Sequence, residues 1–288
     1  MNARERPTRL LNTGPVRLLP SVVTILALCA GLSAVKFALE GELGVALAMT
    51  GAAAVLDMLD GRIARLLDAT SKMGGELDSL ADAISFGVAP ALVLYVTLLD
   101  GSSAGWIIAL LYSVSIVLRL ARFNTLITDT SRPGYTQEYF VGVPAPAGAL
   151  VALLPIALYE QFGDGWWASF PAVAAWTVFS AALIVSRIPT MAMKSVAVPP
   201  QAAAGLLVLV ALAAAALVTF PLILLIVLDA LYLLHIPFAV RSQRWVAARP
   251  QHWESKPSER RAERRAIRRE PGARRSVARL GLRRPGGR

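Results

Sequence analysis

Residues 45–67 read VALAMTGAAAVLDMLDGRIARLL, an apolar run that carries aspartates only toward its carboxyl end. A helix needs about 20 apolar residues to cross a hydrocarbon core of roughly 30 Å, and this run is long enough. A spanning segment must satisfy its own backbone hydrogen bonds, so the run predicts a helix. Asp57 and Asp60 therefore lie in or near a membrane span, where an ionised carboxylate costs about 3 kcal/mol.

The rest of the chain has the same character, since 56% of its 288 residues are hydrophobic and fall into long runs. This composition excludes an ordinary soluble domain. The runs are too long and too rich in Ala and Leu for the strands of a membrane barrel. We predict an all-α polytopic membrane protein with about eight transmembrane helices. The candidate spans are 21–39, 45–67, 78–99, 104–126, 143–162, 166–186, 202–219 and 221–240.

Charge divides the chain into three parts. Residues 241–288 carry 15 Arg and one Lys against four Glu, which predicts a basic, largely disordered tail that contacts anionic lipid headgroups. No aromatic interleaving or recognisable nucleic-acid module supports a nucleic-acid partner. The predicted organisation is a cytoplasmic amino-terminal segment, 1–20, a membrane-embedded domain, 21–240, and the tail, 241–288.

The connections between the candidate spans predict the orientation of the protein. Lys or Arg precede the first span and follow the second, fourth and sixth, with Arg132 and Lys194 in the last two of these connections. The other connections carry acids or no charge. Because Lys and Arg are retained in cytoplasmic loops, we expect both termini to be cytoplasmic and the protein to be a multi-pass component of the inner membrane.

Two pairs of aspartates predict a metal site. Asp57 and Asp60 are three residues apart, and Asp78 and Asp82 are four apart on the next helix, so each pair shares one helix face. In the predicted topology both pairs lie toward the cytoplasmic side and can converge. Four carboxylates without a neighbouring Cys or His form an oxygen-only ligand set, which suits Mg²⁺, Mn²⁺ or Ca²⁺.

Small and basic residues near these acids predict a phosphate-bearing ligand. Gly61 and Ala64 remove side-chain bulk beside Asp60, so an extended ligand can approach the helix backbone. Arg65 offers a forked donor that suits a phosphate. For Gly61 alone, close helix packing is the simpler interpretation.

The spacing of these residues resembles the signature of the CDP-alcohol phosphatidyltransferase family. The matching positions are Asp57, Asp60, Gly61, Ala64, Arg65, Gly74, Asp78 and Asp82. The resemblance implies a six-helix catalytic core, usually dimeric, that binds CDP-diacylglycerol and one or two Mg²⁺ or Mn²⁺ ions. It also implies that Asp57, Asp60, Asp78 and Asp82 contact metal, with Asp82 as the general base. Gly61, Ala64, Arg65 and Gly74 would contact the cytidine nucleotide.

Three other stretches resemble the bacterial membrane-embedded phosphatidylserine synthases within this family. They are Leu19-Pro20-Ser21-x2-Thr24, Arg119-Leu-Ala-Arg122-Phe123-Asn124 and Phe140-Val-Gly142-Val-Pro144-Ala-Pro146. The resemblance implies L-serine as the acceptor, with Thr24 near the donor lipid and with Arg119, Arg122 and Asn124 near the serine. Ser21 departs from the Asn that many relatives have at this position.

Other readings of the sequence stay open at this point. The acceptor can be another alcohol, such as glycerol 3-phosphate or inositol 1-phosphate, which should demand additional basic side chains. The acids can also line the pathway of an ion-coupled transporter, although the chain shows no second copy of the motif. Asp229 and Tyr232 are one turn apart in the last span, and we interpret them as residues that pack or pair locally.

Overall fold

The computed structural model describes residues 18–127, 139–191 and 203–249 of the chain. This part contains eight apolar helices, several of them irregular, and two short strands. The predicted amino-terminal segment up to residue 17, Arg132, Lys194 and the basic tail beyond residue 249 lie outside the described residues.

The helices follow one another with short connections. The elements are α1 (Leu19–Leu39), α2 (Leu43–Leu66), α3 (Lys72–Leu99), α4 (Ser103–Ile127), β1 (Tyr139–Val141), α5 (Ala145–Phe162), α6 (Phe170–Val185), β2 (Pro189–Met191), α7 (Ala203–Thr219) and α8 (Pro221–Ala247). Leu153 interrupts α5 between its halves Ala145–Ala152 and Leu154–Phe162. A single turn of 3₁₀ helix, Trp166–Ala168, precedes α6.

Six of the described helices, α1 to α5 and α8, are long and apolar enough to cross a membrane. The two others, α6 and α7, are shorter apolar helices at the positions of the sixth and seventh candidate spans. Together they confirm the prediction of an all-α polytopic membrane protein. The predicted boundary at residue 240 falls inside α8, which continues to Ala247.

Helix α3 begins six residues earlier than the candidate span 78–99 because Ser71 caps it. The Ser71 side chain accepts a hydrogen bond from the backbone N–H of Gly74 at 2.9 Å, which satisfies one of the free donors of the first turn. The helix then widens into π-helical turns at Ala83–Val88 and Tyr95–Leu99. The first of these turns starts directly after Asp82.

Close helix contacts hold the amino-terminal half together. Helix α1 lies along α2 and also packs on α3. Where α1 crosses α3, a Cβ added to Gly31 would lie 2.8 Å from the Cα of Ser85, so only glycine fits there. Apolar side chains fill the remaining interior, among them Phe86, Tyr112 and Ile116, which are fully buried.

The two strands form a small antiparallel pair that connects the later helices. Phe140 pairs with Thr190, and α8 packs against β2. Gly142 follows β1 with a φ of 82°, a left-handed conformation that favours glycine. A Cβ at this position would also lie 2.6 Å from the carbonyl oxygen of Ile184. The glycine in the predicted Phe140–Pro146 stretch thus permits a tight turn against the end of α6.

Candidate metal centre and active site

The connection between α2 and α3 places three of the predicted acids together. Asp60 lies six residues before the end of α2, and Asp78 lies six residues after the start of α3, which is about 9 Å along each helix. Asp57 is one turn further along α2. Carboxylate oxygens of Asp57, Asp60 and Asp78 all lie within 4.8 Å of one another.

Asp82 adjoins this cluster but is not one of its three members. One turn further along α3 than Asp78, it lies beside the carboxyl group of Asp57 and interacts electrostatically with Asp57 and Asp78. Asp82 is partly buried and stands at the start of the first π-helical turn. Such turns occur frequently at functional sites. The fourth acid therefore has surroundings that differ from those of the other three.

Thr24 contacts the acid cluster from α1. Its hydroxyl donates a hydrogen bond to Oδ2 of Asp60 at 2.6 Å and also lies 3.1 Å from the carbonyl oxygen of Pro20. Both Thr24 and Asp60 are buried. The sequence predicted Thr24 near the donor lipid but did not predict this bond. Thr24 and Asp60 are 36 residues apart, and no local sequence pattern indicates that they are in contact.

The predicted nucleotide-binding residues lie on the same two helices as the acids. Gly61 is half-buried, and a Cβ added to it would have only Arg65 Nη1 within 4 Å, at 3.9 Å. Arg65 is exposed on the last turn of α2, and Ala64 beside it is partly exposed. Gly74 takes part in the Ser71 cap, which gives it a local structural role as well. The backbone of α2 beside the acids is therefore accessible to a ligand.

The three residues predicted to bind the acceptor have different surroundings. Arg119 is buried, interacts electrostatically with Asp57 and Asp82, and lies 5.5 Å from the centroid of the Phe123 ring. Arg122 donates hydrogen bonds to the carbonyl oxygens of Val185 at 2.7 Å and Ser186 at 3.5 Å. A cation there is favourable, because the carbonyls at the carboxyl end of a helix such as α6 carry partial negative charge.

Asn124 connects α4 to α3 beside the acids. Its side-chain amide donates a hydrogen bond to the Ser79 hydroxyl at 3.0 Å. Ser79 follows Asp78 directly, so this bond helps to fix the orientation of the helix that carries two of the acids. Of the three residues predicted to bind the acceptor, Arg119 is the one that interacts electrostatically with the acids Asp57 and Asp82.

The acid cluster fits a hard divalent cation. Among the described residues, one ion pair with a nitrogen–oxygen distance of 4.0 Å or less is formed, and it joins Lys36 to Glu40. No described Lys or Arg is therefore paired with the carboxylates of the cluster. Three carboxylates this close repel one another unless a cation balances them. The donors are all oxygen atoms, which Mg²⁺ and Mn²⁺ prefer.

A polytopic all-α membrane protein with a carboxylate cluster at one helix–helix connection is the class that the fold and the site define. The sequence model of the CDP-alcohol phosphatidyltransferase family matches residues 17–188, more than half of the chain. The chain belongs to this family. It is therefore an enzyme, a CDP-alcohol phosphatidyltransferase, and not the ion-coupled transporter that the sequence alone left open.

Curated relatives resemble the chain, two of them over nearly its whole length and one over about half of it. The CDP-diacylglycerol–serine O-phosphatidyltransferase of Mycobacterium bovis is 54% identical over 271 residues, which covers 94% of this chain and 95% of the relative. The protein of the same name from Mycobacterium leprae is 49% identical over 288 residues, covering 100% and 95%. That from Bacillus subtilis is 38% identical over 138 residues, covering 47% and 74%.

Proposed function

We propose that this enzyme is a CDP-diacylglycerol–serine O-phosphatidyltransferase, which makes phosphatidylserine and releases CMP. The observation that carries the choice of serine is the sequence identity of 49–54%, over nearly the whole chain, to relatives with that name. The shared motif alone would not select an acceptor, because it contains the residues predicted to bind the CDP half of the donor. The carboxylate cluster supports the same chemistry.

Asp57, Asp60 and Asp78 would hold one or two Mg²⁺ or Mn²⁺ ions, and Asp82 adjoins them. A divalent ion, when bound, neutralises the diphosphate of the donor and stabilises the departing CMP. Gly61, Ala64, Arg65 and Gly74 are proposed to contact the cytidine nucleotide, with Thr24 nearby. The accessible backbone at Gly61 and the exposed guanidinium of Arg65 support this assignment.

The proposed reaction is a direct displacement at the phosphorus that carries the lipid. The serine hydroxyl oxygen forms a bond to this phosphorus, and the bond from the phosphorus to the bridging oxygen of CMP breaks. Asp82 accepts the hydroxyl proton as general base. Its place outside the three-carboxylate group supports a role separate from ion binding. Of the predicted acceptor group, Arg119 is proposed to bind the acceptor directly, and Arg122 and Asn124 are proposed to hold the neighbouring helices in place.

The position of the enzyme in the cell is part of the proposal. We place it in the inner membrane with both termini and the active site facing the cytoplasm, on the charge distribution of the connections. The basic residues from 241 onward would then lie near anionic headgroups of the inner leaflet. We also propose a homodimer, on the family resemblance.

An acceptor panel tests the proposed function. The purified protein is incubated with CDP-diacylglycerol and Mn²⁺ together with serine, glycerol 3-phosphate or inositol 1-phosphate, and CMP release is followed. We expect release with serine and phosphatidylserine as product. Release with glycerol 3-phosphate but not with serine would contradict the proposal. Asp82→Asn is the inactive control enzyme, expected to bind CDP-diacylglycerol without turnover.

A further inference from the structure

Three buried polar atoms of the described residues lack hydrogen-bond partners, namely Nε of Arg119 on α4 and, on α8, Oδ2 of Asp229 and the hydroxyl oxygen of Tyr232. Arg119 is 6% exposed, and its Nε has no partner among the described residues. The hydroxyl of Tyr232, on α8, is also buried and forms no hydrogen bond with any described residue. An unsatisfied buried polar group costs about 1–3 kcal/mol. Two such groups at one place indicate a site that a ligand completes.

Arg119 connects this place to the acid cluster. Its guanidinium interacts electrostatically with Asp82 and Asp57 and also with the hydroxyl of Tyr232. A small molecule bound by Arg119 and Tyr232 would therefore lie within electrostatic reach of Asp82. This is the position that an acceptor must occupy if its hydroxyl is to lose a proton to Asp82.

The wall behind Tyr232 is fixed by the strand pair. Tyr232 stands beside Thr190, whose hydroxyl is buried and donates to the carbonyl oxygen of Gly142 at 3.0 Å. Helix α8 packs on β2, so Tyr232 is held in place by its backbone and neighbours. Thr190 and Tyr232 both follow residue 188, where the family match ends. The wall is therefore supplied by a region outside the shared domain.

The chemistry of the two groups selects one kind of ligand group. The Nε–H of Arg119 and the hydroxyl of Tyr232 both donate hydrogen bonds, and a carboxylate only accepts them. The neighbouring cation, Arg122, already donates to the carbonyls of Val185 and Ser186. A single available guanidinium suits the single charge of a carboxylate better than the double charge of a phosphate monoester.

We propose that Arg119 and Tyr232 together bind the carboxylate of an amino-acid acceptor, which makes Tyr232 a specificity-determining residue. The proposal rests on the proposed function, since it names the part of serine that this site recognises. It assigns a role to α8, a helix outside the shared domain. The acceptor hydroxyl, a few bonds from the carboxylate, then lies toward Asp82.

Steady-state kinetics of Tyr232→Phe test the proposal. Removal of a hydrogen bond to a charged group should raise the KM for serine about 10-fold or more. The KM for CDP-diacylglycerol and kcat should stay within about twofold of the unchanged enzyme, because the variant keeps the ring and its packing. Tyr159→Phe, at a partly buried tyrosine of α5 remote from the acids in the chain, is the matched control and should change neither KM.

The outcomes separate this proposal from the proposed function. An unchanged enzyme that releases no CMP with serine contradicts the function, whatever Tyr232 does. An unchanged enzyme that uses serine, together with a Tyr232→Phe variant whose KM for serine is unaltered, contradicts only the carboxylate site. Equal rises in KM for both substrates, or a lower melting temperature with a general loss of activity, would indicate a structural role and also overturn it.

Discussion

At the scale of single residues, the bond from Thr24 to Asp60 yields a prediction about metal affinity. Thr24→Val keeps the shape of the side chain but removes the donor of the 2.6 Å bond to Asp60 Oδ2. Groups that orient a metal-binding residue typically contribute 10- to 100-fold to affinity or activity. We expect the Mn²⁺ concentration for half-maximal CMP release to rise about 10-fold at saturating substrates.

Thr50→Val is the matched control for this experiment. Thr50 is buried like Thr24, but its hydroxyl donates to the carbonyl oxygen of Ala46 in its own helix, at 3.1 Å. The same chemical change there should leave the Mn²⁺ dependence unaltered. An equal shift in both variants would attribute the effect to a general loss of stability, and no shift in Thr24→Val would contradict a role for the bond in ion binding.

Individual residues also mark what the sequence could and could not predict about the site. Asp57, Asp60 and Asp78 lie on two consecutive helices, so helical periodicity and one short connection are enough to bring them together. The hydrogen bond between Thr24 and Asp60 and the electrostatic interaction between Arg119 and Tyr232 join distant parts of the chain. They depend on how whole helices pack, which local spacing does not determine.

At the scale of elements, the crossing of α1 and α3 predicts a loss of stability on a minimal substitution. In Gly31→Ala, the new methyl group would lie 2.8 Å from the Cα of Ser85, which is backbone and cannot rotate away. Overpacking of this kind costs about 1–3 kcal/mol. We expect a lower melting temperature in detergent by several degrees. Activity should also fall, because α1 carries Thr24 and α3 carries Asp78.

The control for this crossing is Gly51→Ala in α2. A Cβ at Gly51 has no atom within 4 Å, and Ala is a better helix former than Gly by about 1 kcal/mol. This variant should melt at the same temperature as the unchanged protein or slightly higher. A Gly31→Ala protein that is as stable and active as Gly51→Ala would show that the two helices can separate without consequence.

The helices themselves were predicted better than their ends. All eight apolar runs correspond to helices in the described residues, because run length and composition determine where a helix forms in a membrane. Helix α3 starts six residues before the candidate span 78–99, because the Ser71 cap stabilises helical turns ahead of the apolar run. The interruption at Leu153 was not predicted either.

At the scale of the whole molecule, the positions of charged residues predict which connections face the cytoplasm. Thr70 is in the connection between α2 and α3, which the rule for basic residues places on the cytoplasmic side. Asp164, between α5 and α6, lies in an acidic connection that the same rule places outside. Both residues are exposed, so a cysteine at either position is expected to react with a soluble reagent.

Labelling with a membrane-impermeant maleimide tests this orientation. The single cysteine, Cys29, is first replaced by Ser, and Thr70→Cys or Asp164→Cys is then added. In right-side-out vesicles we expect labelling of Asp164→Cys and little of Thr70→Cys, and in inverted vesicles the reverse. Each variant is thus the control for the other. The reversed labelling pattern would place the acid cluster on the outer face of the membrane. Serine in the cytoplasm could not reach it there, so this result would contradict the proposed orientation of the active site.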